Sequence, residues 1–325
     1  MNNSQLNLIS KQIKNELAYF NDFFRDSLKS KVPLVDLIAR YVLKQKGKRI
    51  RPLLVLLSAK LAGEISERTY RGAVLVELLH TATLVHDDVV DNSDKRRGFP
   101  SINAIWKNKI AVLMGDYLLS RGLLIAIDGQ DFDFLNTITR TVKRMSEGEL
   151  LQIQKTRKLD LDEETYFRII SDKTASLIET CCEIGLLSSS DNVLYLNAIK
   201  KYGENLGLAF QIRDDILDLE GISKLFGKPI GGDIKEKKLT LPLIYSLANV
   251  DSTEAKTIRK YIHNGKKEDV KTIIDFIKAN GGIDYAKNKA HQLALEAKES
   301  LNIFPDSYSK ESLKNLIGFV VEREL

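Results

Sequence analysis

Two acidic stretches carry the residues most able to do chemistry: LVHDDVVD, Leu84 to Asp91, and QIRDDILD, Gln211 to Asp218. Each sets carboxylates at i, i+1 and i+4 after an apolar run, and on a helix the i and i+4 side chains are neighbours, roughly 5–6 Å apart. Asp87 and Asp91 therefore point the same way, as do Asp214 and Asp218. Like charges so placed repel, and the clusters Asp87, Asp88, Asp91 and Asp214, Asp215, Asp218 ask for counter-charge. Oxygen-only ligands favour magnesium, manganese or calcium over zinc, and a magnesium ion held by few carboxylates completes its shell with water and substrate phosphates. A lone DDxxD reads most simply as a solvated helix face near a Lys or Arg. Two copies, each flanked by apolar residues (Val85, Val89; Ile212, Ile216), point instead to packed helices with acidic ends at a cavity.

Three basic clusters accompany them: Lys48, Arg49 and Arg51 in GKRIRP; Lys95, Arg96 and Arg97 in DKRRG; Lys228 and Lys238 around a glycine-rich loop. Both signs in one site suit an anionic, metal-bridged ligand, and a diphosphate fits well. Taken singly, Lys95 or Lys235 reads as a surface lysine and Arg49 as a salt-bridge partner.

The elements that must position these groups are helical. The chain has 325 residues, 43% hydrophobic and 29% charged, with only six prolines, and long stretches keep helical spacing. Pro52 suits the first turn of a helix and Gly63 its stop. The next helix opens near Ser66 and closes in the first acidic motif, and DNSDKRRGFPS breaks it. From Lys107 to Asp128 apolar residues nearly encircle the helix, which predicts burial all round. Further helices cover about Phe132 to Gln154, Glu163 to Leu187, and Val193 to the second motif. Patterns broken at NGKKED and NGG follow, ending in a short helix near Leu313 to Val321. No strand run, linker or low-complexity segment is evident, so the expectation is a single all-α domain over residues 1–325.

A net charge of +5 is modest and the basic clusters lack interleaved aromatics, so nucleic acid is not expected. The adjacent Cys181 and Cys182 exclude a disulfide framework and read as small core residues. The N-terminus lacks a signal-peptide pattern and no window reaches 18 consecutive apolar residues, so a cytoplasmic protein is expected.

Taken in order, GKRIRP, HTATLVHDDVVD, DKRRG, DKT, GLAFQIRDDILD and GKPIGGDIKEKKLTLP resemble the trans-prenyltransferases of the polyprenyl diphosphate synthase family, over nearly the whole chain. The resemblance implies an isoprenoid synthase fold, a helical bundle around a deep central cavity, and a homodimer. It implies that an allylic diphosphate ionises and that isopentenyl diphosphate attacks the resulting carbocation. Asp87, Asp88, Asp91, Asp214, Asp215 and Asp218 match the positions that hold two or three magnesium ions on the allylic diphosphate. Arg96, Lys173 and Lys238 match groups that grip that diphosphate, and Lys228 lies in the matching lysine loop. Lys48, Arg51, His80 and Arg97 match the metal-free pocket for isopentenyl diphosphate. Thr174 and Gln211 match groups whose oxygens face the carbocation, and Glu147, Glu149 and Gln152 match a supporting stretch. The family usually has glycine where this chain has Lys237, which leaves open whether Lys237 or Lys238 meets phosphate, and the tail VVEREL, with Arg323, is less basic than in some short-chain members.

Members that stop at short products tend to carry a large residue one turn before the first motif, where this chain has Ala82 and Thr83. The expectation is an all-trans product in the hexaprenyl to octaprenyl range for quinone side chains, along a tunnel past Leu119, Leu123 and Leu124, with peripheral membrane contact for product release. Shorter farnesyl or geranylgeranyl products are the alternative. A terpene cyclase would have no purpose for GKRIRP and an altered second motif. A His-Asp phosphohydrolase leaves the second cluster unexplained, and a regulatory subunit tends to lose aspartates that this chain keeps.

Overall fold

The structure, a computed structural model, describes residues 8–45, 47–96, 98–220, 231–266 and 268–321. Fifteen α-helices are assigned among them. Helices α1 (Lys14–Ser27), α2 (Pro33–Lys44) and α3 (Ile50–Ala62) open the chain, followed by the long α4 (Glu67–Val90). Pro52 lies in the first turn of α3 and Gly63 ends it; Ser66 starts α4 through a capping box with Thr69. After Asp91 the chain makes a two-residue antiparallel ladder, β1 (Lys95–Arg96) on β2 (Phe99–Pro100), too short to leave a strand pattern in the sequence.

Next come α5 (Ile102–Asp128) and α6 (Phe132–Lys158). The helix expected to begin at Lys107 is preceded by a short helical piece from Ile102, and Lys107 itself sits at φ 71°, where the two pieces kink. Helix α7 (Glu163–Ile170) runs through a π-helical turn, Ser171–Ala175, into α8 (Ser176–Leu187), and α9 (Val193–Glu220) follows. The remainder is α10 (Gly232–Lys235), α11 (Leu241–Ala248), α12 (Ser252–Asn264), α13 (Asp269–Ala279), α14 (Gly282–Ser300) and α15 (Tyr308–Val321). The last helix starts five residues earlier than its apolar pattern, in a polar turn where Tyr308 and Ser312 bond the N-terminal segment, Tyr308 Oη donating to Leu8 O at 2.7 Å and Ser312 Oγ to Ile9 O at 3.1 Å.

Two helices organise the bundle. The first is α4, which packs on α3, α5 and α8; the second is α9, which packs on α8 and α14. The larger apolar core joins α1, α3, α4, α5 and α8 to the start of α9 at Ile199 and Tyr202. A second core gathers α11 to α14 around the other half of α9, at Ile212, Ile216 and Leu219. Each buried aliphatic side chain contributes about 1.5–3 kcal/mol. This burial fixes the acidic end of α4 on the larger core and that of α9 on the second. Cys181 and Cys182 are wholly buried, and burial pushes the Cys181 thiol up to about 12.

The expectation that α5 is buried all round is not met. One flank packs on α4, but Ile105, Val112, Leu113, Leu124 and Ile127 are exposed, Leu113 by 56%. By length and mean hydropathy (1.7) α5 is the one described helix that could cross a membrane, yet its inner flank is bound into the core. An all-round apolar pattern does not say which flank packs, and the described residues cover only one of them.

Candidate active site

The first motif ends α4 as its spacing requires. Asp87 and Asp91 are both exposed on one face, whereas Asp88 turns inward and is 4% exposed. Asp88 is held by Arg96 on β1, whose Nε and Nη2 donate to its Oδ1 at 2.9 and 2.6 Å. The small ladder therefore folds DKRRG back onto the acidic motif. Partial burial, opposed by Lys173 and aided by Glu149 and Asp91, raises the Asp87 pKa above the ordinary carboxylate value.

The second motif ends α9 in a more enclosed setting. Asp215 is 5% exposed; Tyr166 Oη donates to its Oδ2 at 2.7 Å and Gln211 Nε2 to its Oδ1 at 2.8 Å. Burial, then the neighbouring charge of Asp233, push its pKa up to about 8, against the pull of those two hydrogen bonds. Asp218 accepts from the backbone amides of Gly232 and Asp233, both at 3.1 Å, and so ties the start of α10 to α9. Asp214 is half-buried beside Asp215.

Beside the second motif lies a cavity of about 110 Å³ lined by Lys173, Thr174, Gln211, Asp215, Asp233 and Lys238, with Tyr166 and Gln152. Lys173 projects from the π-helical turn and pairs with Glu149 at 2.5 Å and Gln152 at 2.7 Å, so the supporting stretch on α6 holds the lysine. Lys238 pairs with Glu236 at 2.5 Å and lies near Asp233 and Asp91. Burial works against its charge, but these carboxylates outweigh it and the pKa is raised. The two lysines thus stand within reach of both acidic motifs. The oxygen of Gln211 accepts from Thr174 Oγ1 at 2.9 Å, making a chain from Thr174 through Gln211 to Asp215. That carboxamide oxygen, expected to face a carbocation, is engaged by the threonine.

Lys237 and Lys238 are placed differently. Lys238 lines the cavity, whereas Lys237 adopts φ 59° and sends its stem toward Gly265. A left-handed backbone is the conformation that makes glycine the usual occupant of such a position.

A separate, cationic pocket of about 330 Å³ is lined by Lys48, Arg49, Arg51, Glu77 and His80. Arg49 is committed to Glu77 and to the Phe24 ring, 4.8 Å from its centroid. Lys48 lies 5.7 Å from the Phe319 ring centroid. Burial pulls the Arg51 pKa down, partly offset by Glu77, and its Nε finds no hydrogen-bond partner among the described residues. A buried guanidinium with an unbonded donor fits an anion. A small cavity containing His80 together with Asp88 and Arg96 lies between this pocket and the first motif. Arg97, Lys228 and Arg323, named on sequence, lie outside the described residues.

No three acidic, histidine or cysteine side chains among the described residues stand close enough to ligate one ion by themselves. The donors nonetheless fit a hard divalent cation whose remaining ligands are water or phosphate. They are all oxygen, and burial, with neighbouring carboxylates adding to it, raises the pKa of Asp87 and of Asp215, so a cation bound beside them would favour the charged, ligating form.

Ala82 is 2% exposed and lies seven residues after Leu75, on the face of α4 where Leu75 and Leu78 meet Gly122 of α5. Thr83, four residues before Asp87, is half-buried on the aspartate's face and bonds His80 O at 2.9 Å. Leu119 and Leu123 are half-buried against the core, but Leu124 is 47% exposed and leaves the inward line expected of it. Sequence reading passed over Tyr166 and Asp233; the only signals were a tyrosine one helical turn and more before DKT, and an acid directly after a Gly-Gly pair.

These features define a helical bundle with two acidic motifs and separate lysine-bearing and cationic pockets. Residues 32–277 match the polyprenyl synthetase family model. An all-trans-nonaprenyl-diphosphate synthase (geranyl-diphosphate specific) of Rhodobacter capsulatus is 35% identical over 312 residues, covering 96% of each chain. A geranylgeranyl diphosphate synthase of Saccharolobus solfataricus is 33% identical over 334 aligned positions, covering 99% of each. The crystal structure of a polyprenyl synthase from Caulobacter crescentus, complexed with calcium and isoprenyl diphosphate, superposes with a TM-score of 0.90 at 34% identity over 98% of each chain. The chain belongs to the polyprenyl synthetase family, with the all-α isoprenoid synthase fold, and is a trans-prenyltransferase that elongates prenyl chains.

Proposed function

We propose that the enzyme condenses isopentenyl diphosphate with an allylic diphosphate in a magnesium-dependent reaction and extends the product to the hexaprenyl to octaprenyl range, for quinone side chains. The observation that carries this reading is the placement of Lys173 and Lys238 near both acidic motifs, apart from the cationic pocket of Arg51 and His80. Two substrates with the same headgroup need two sites, and only one of these sites has a cluster of carboxylates to bridge through metal, since Glu77 in the cationic pocket is paired with Arg49.

In this reading Asp87, Asp88, Asp91, Asp214, Asp215 and Asp218 hold two or three magnesium ions. When bound, the metal neutralises charge growing on the leaving diphosphate, usually the largest catalytic contribution in such a reaction. Lys173 and Lys238 bind that diphosphate directly, and Arg96 exchanges its Asp88 partner for phosphate oxygen. Lys48, Arg51 and His80, joined by Arg97, hold isopentenyl diphosphate. Lys228 contributes from the glycine-rich loop. Thr174 retains lone pairs toward the cavity, and Gln211 orients it.

The small residues Ala82 and Thr83 support a long product, as does the nonaprenyl relative. Each isoprene unit adds apolar surface worth about 0.8 kcal/mol per buried methylene-sized group, so growth continues until side chains obstruct it. We further propose one domain over residues 1–325, because α9 belongs to both cores, and a cytoplasmic homodimer joined through the exposed face of α5. Product would leave by peripheral contact with a membrane. The decisive experiment supplies labelled isopentenyl diphosphate with geranyl or farnesyl diphosphate, with magnesium or with chelator, and separates the products by chromatography. Metal-dependent C5 ladders ending in the long range are expected. Termination at geranylgeranyl diphosphate would overturn the chain-length assignment, and elongation indifferent to chelator would overturn the metal assignment.

A further inference from the structure

We propose that Arg144 is a positioning residue, which locks the π-helical turn Ser171–Ala175 and thereby aims Lys173 at the allylic diphosphate. The proposal rests on the role given to Lys173 above. A π turn inserts one residue into a helix and rotates everything within it, and such turns recur at functional sites because they re-aim side chains. Here the Ser176 amide reaches Ser171 O, five residues back, instead of Asp172 O, four back. The Ser176 hydroxyl takes the carbonyl of Asp172 at 2.6 Å, a side chain standing in for the displaced amide.

Arg144, two and more turns up α6 from Gln152, makes the other half of the lock. Its Nε donates to Asp172 Oδ1 at 2.9 Å, Nη1 to Glu179 Oε2 at 2.9 Å and Nη2 to Ser171 Oγ at 3.0 Å. One guanidinium therefore binds the start of the turn and the first turn of α8 at once. Ser171 Oγ in turn donates to Glu204 on α9 at 3.1 Å. The backbone approaches closely on both sides. A Cβ at Gly148 of α6 would come within 2.9 Å of Asp172 Cβ, and one at Gly207 of α9 within 2.5 Å of Ala175 Cα.

Relaxation of the turn to α geometry would swing Lys173 by about 100°, away from Glu149 and Gln152. Arg144 sits one turn before Gly148 and two before Gln152 on one face of α6, so clamp, close approach and lysine partner share a single ridge. Lysine in place of Arg144 offers one charge centre and cannot span three acceptors in the planar fork.

The test uses the full-length enzyme carrying Arg144→Ala, Arg144→Lys and Lys173→Ala, alone and combined. Arg144→Ala should raise KM for the allylic diphosphate at least fivefold and leave KM for isopentenyl diphosphate within twofold. Arg144→Lys should recover only part of that loss. In a Lys173→Ala background Arg144→Ala should add nothing further to the allylic KM. Amide exchange across residues 171–176 should quicken in Arg144→Ala while circular dichroism keeps its helical signal. Unchanged exchange would overturn the lock; quickened exchange with both KM values unchanged, or with additive effects in the double variant, would overturn its action through Lys173. Lys173→Ala without effect on either the allylic KM or turnover would instead fault the site assignment on which the proposal stands, and the exchange measurement separates the two.

Discussion

Tyr166 donates to Asp215 at 2.7 Å, both side chains are buried, and this contact opposes the burial that pushes the carboxyl up to about 8. Because the folded pKa exceeds the ordinary value, the native state keeps a proton that the unfolded chain releases. The contribution of Asp215 to stability is therefore fully present below about pH 4 and is lost as pH rises through about 8. In chelator, the melting temperature of the wild type should fall relative to Asp215→Asn between pH 5 and pH 8. Tyr166→Phe removes a bond that favours the ionised form and should carry the fall to higher pH. Parallel melting curves for wild type and Asp215→Asn would show that the carboxyl titrates normally.

Lys238 and Lys237 should separate cleanly. Lys238→Ala removes a charge-assisted contact worth about 1.5–3 kcal/mol and should raise KM for the allylic substrate roughly tenfold to a hundredfold. Lys237→Gly relieves a left-handed backbone costing about 1–2 kcal/mol, offset in part by the greater freedom of glycine in the unfolded chain. Its activity should stay near wild type, with stability unchanged or slightly raised. Equal kinetic losses in the two variants would mean that both lysines meet phosphate.

Substrate discrimination follows from the separation of the pockets. Arg51→Ala should chiefly raise KM for isopentenyl diphosphate, by roughly tenfold or more, and His80→Ala should act in the same direction. Lys173→Ala should act on the allylic substrate or on turnover. Initial-rate measurements varying one substrate at a time decide the matter, and a uniform effect of all three variants on both substrates would refute the division.

The exposed face of α5 makes oligomeric state measurable. Glutamate at Leu113 and Leu124 together would place two charges where an apolar interface is proposed, against about 1.5–3 kcal/mol gained per buried leucine. Sedimentation should report a dimer for the wild type and monomer for the double variant, with the helical signal retained. A monomeric wild type would remove the proposed interface.

Product length should respond at Thr83 as well as Ala82. Either residue replaced by phenylalanine should shift products toward farnesyl or geranylgeranyl diphosphate while ionisation persists. Ala82 is packed between α4 and α5, so Ala82→Phe should also cost about 1–3 kcal/mol by overpacking, more than Thr83→Phe at a half-buried site. An unchanged product distribution in both variants would place the tunnel elsewhere.

The sequence by itself determined the helical architecture and the shared face of Asp87 and Asp91, because period and i/i+4 spacing are local consequences of one helix. It also marked the helix start at Ser66 and the stop at Gly63, which depend on capping within a few residues. Tertiary structure alone decided that Asp88 turns to Arg96, that Asp215 is enclosed by Tyr166 and Gln211, and that Lys238 rather than Lys237 lines the cavity. Burial, and the pKa values that follow from it, are set by neighbours from distant parts of the chain, which no local pattern encodes. The same reason accounts for α5: its residues announce that they are apolar, but which flank meets α4 and which remains exposed is a property of the packed bundle. The π turn at Ser171–Ala175 is likewise invisible as periodicity, since one inserted residue shifts the helical phase within a single turn, and it is held by Arg144, Gly148 and Gly207 from two other helices.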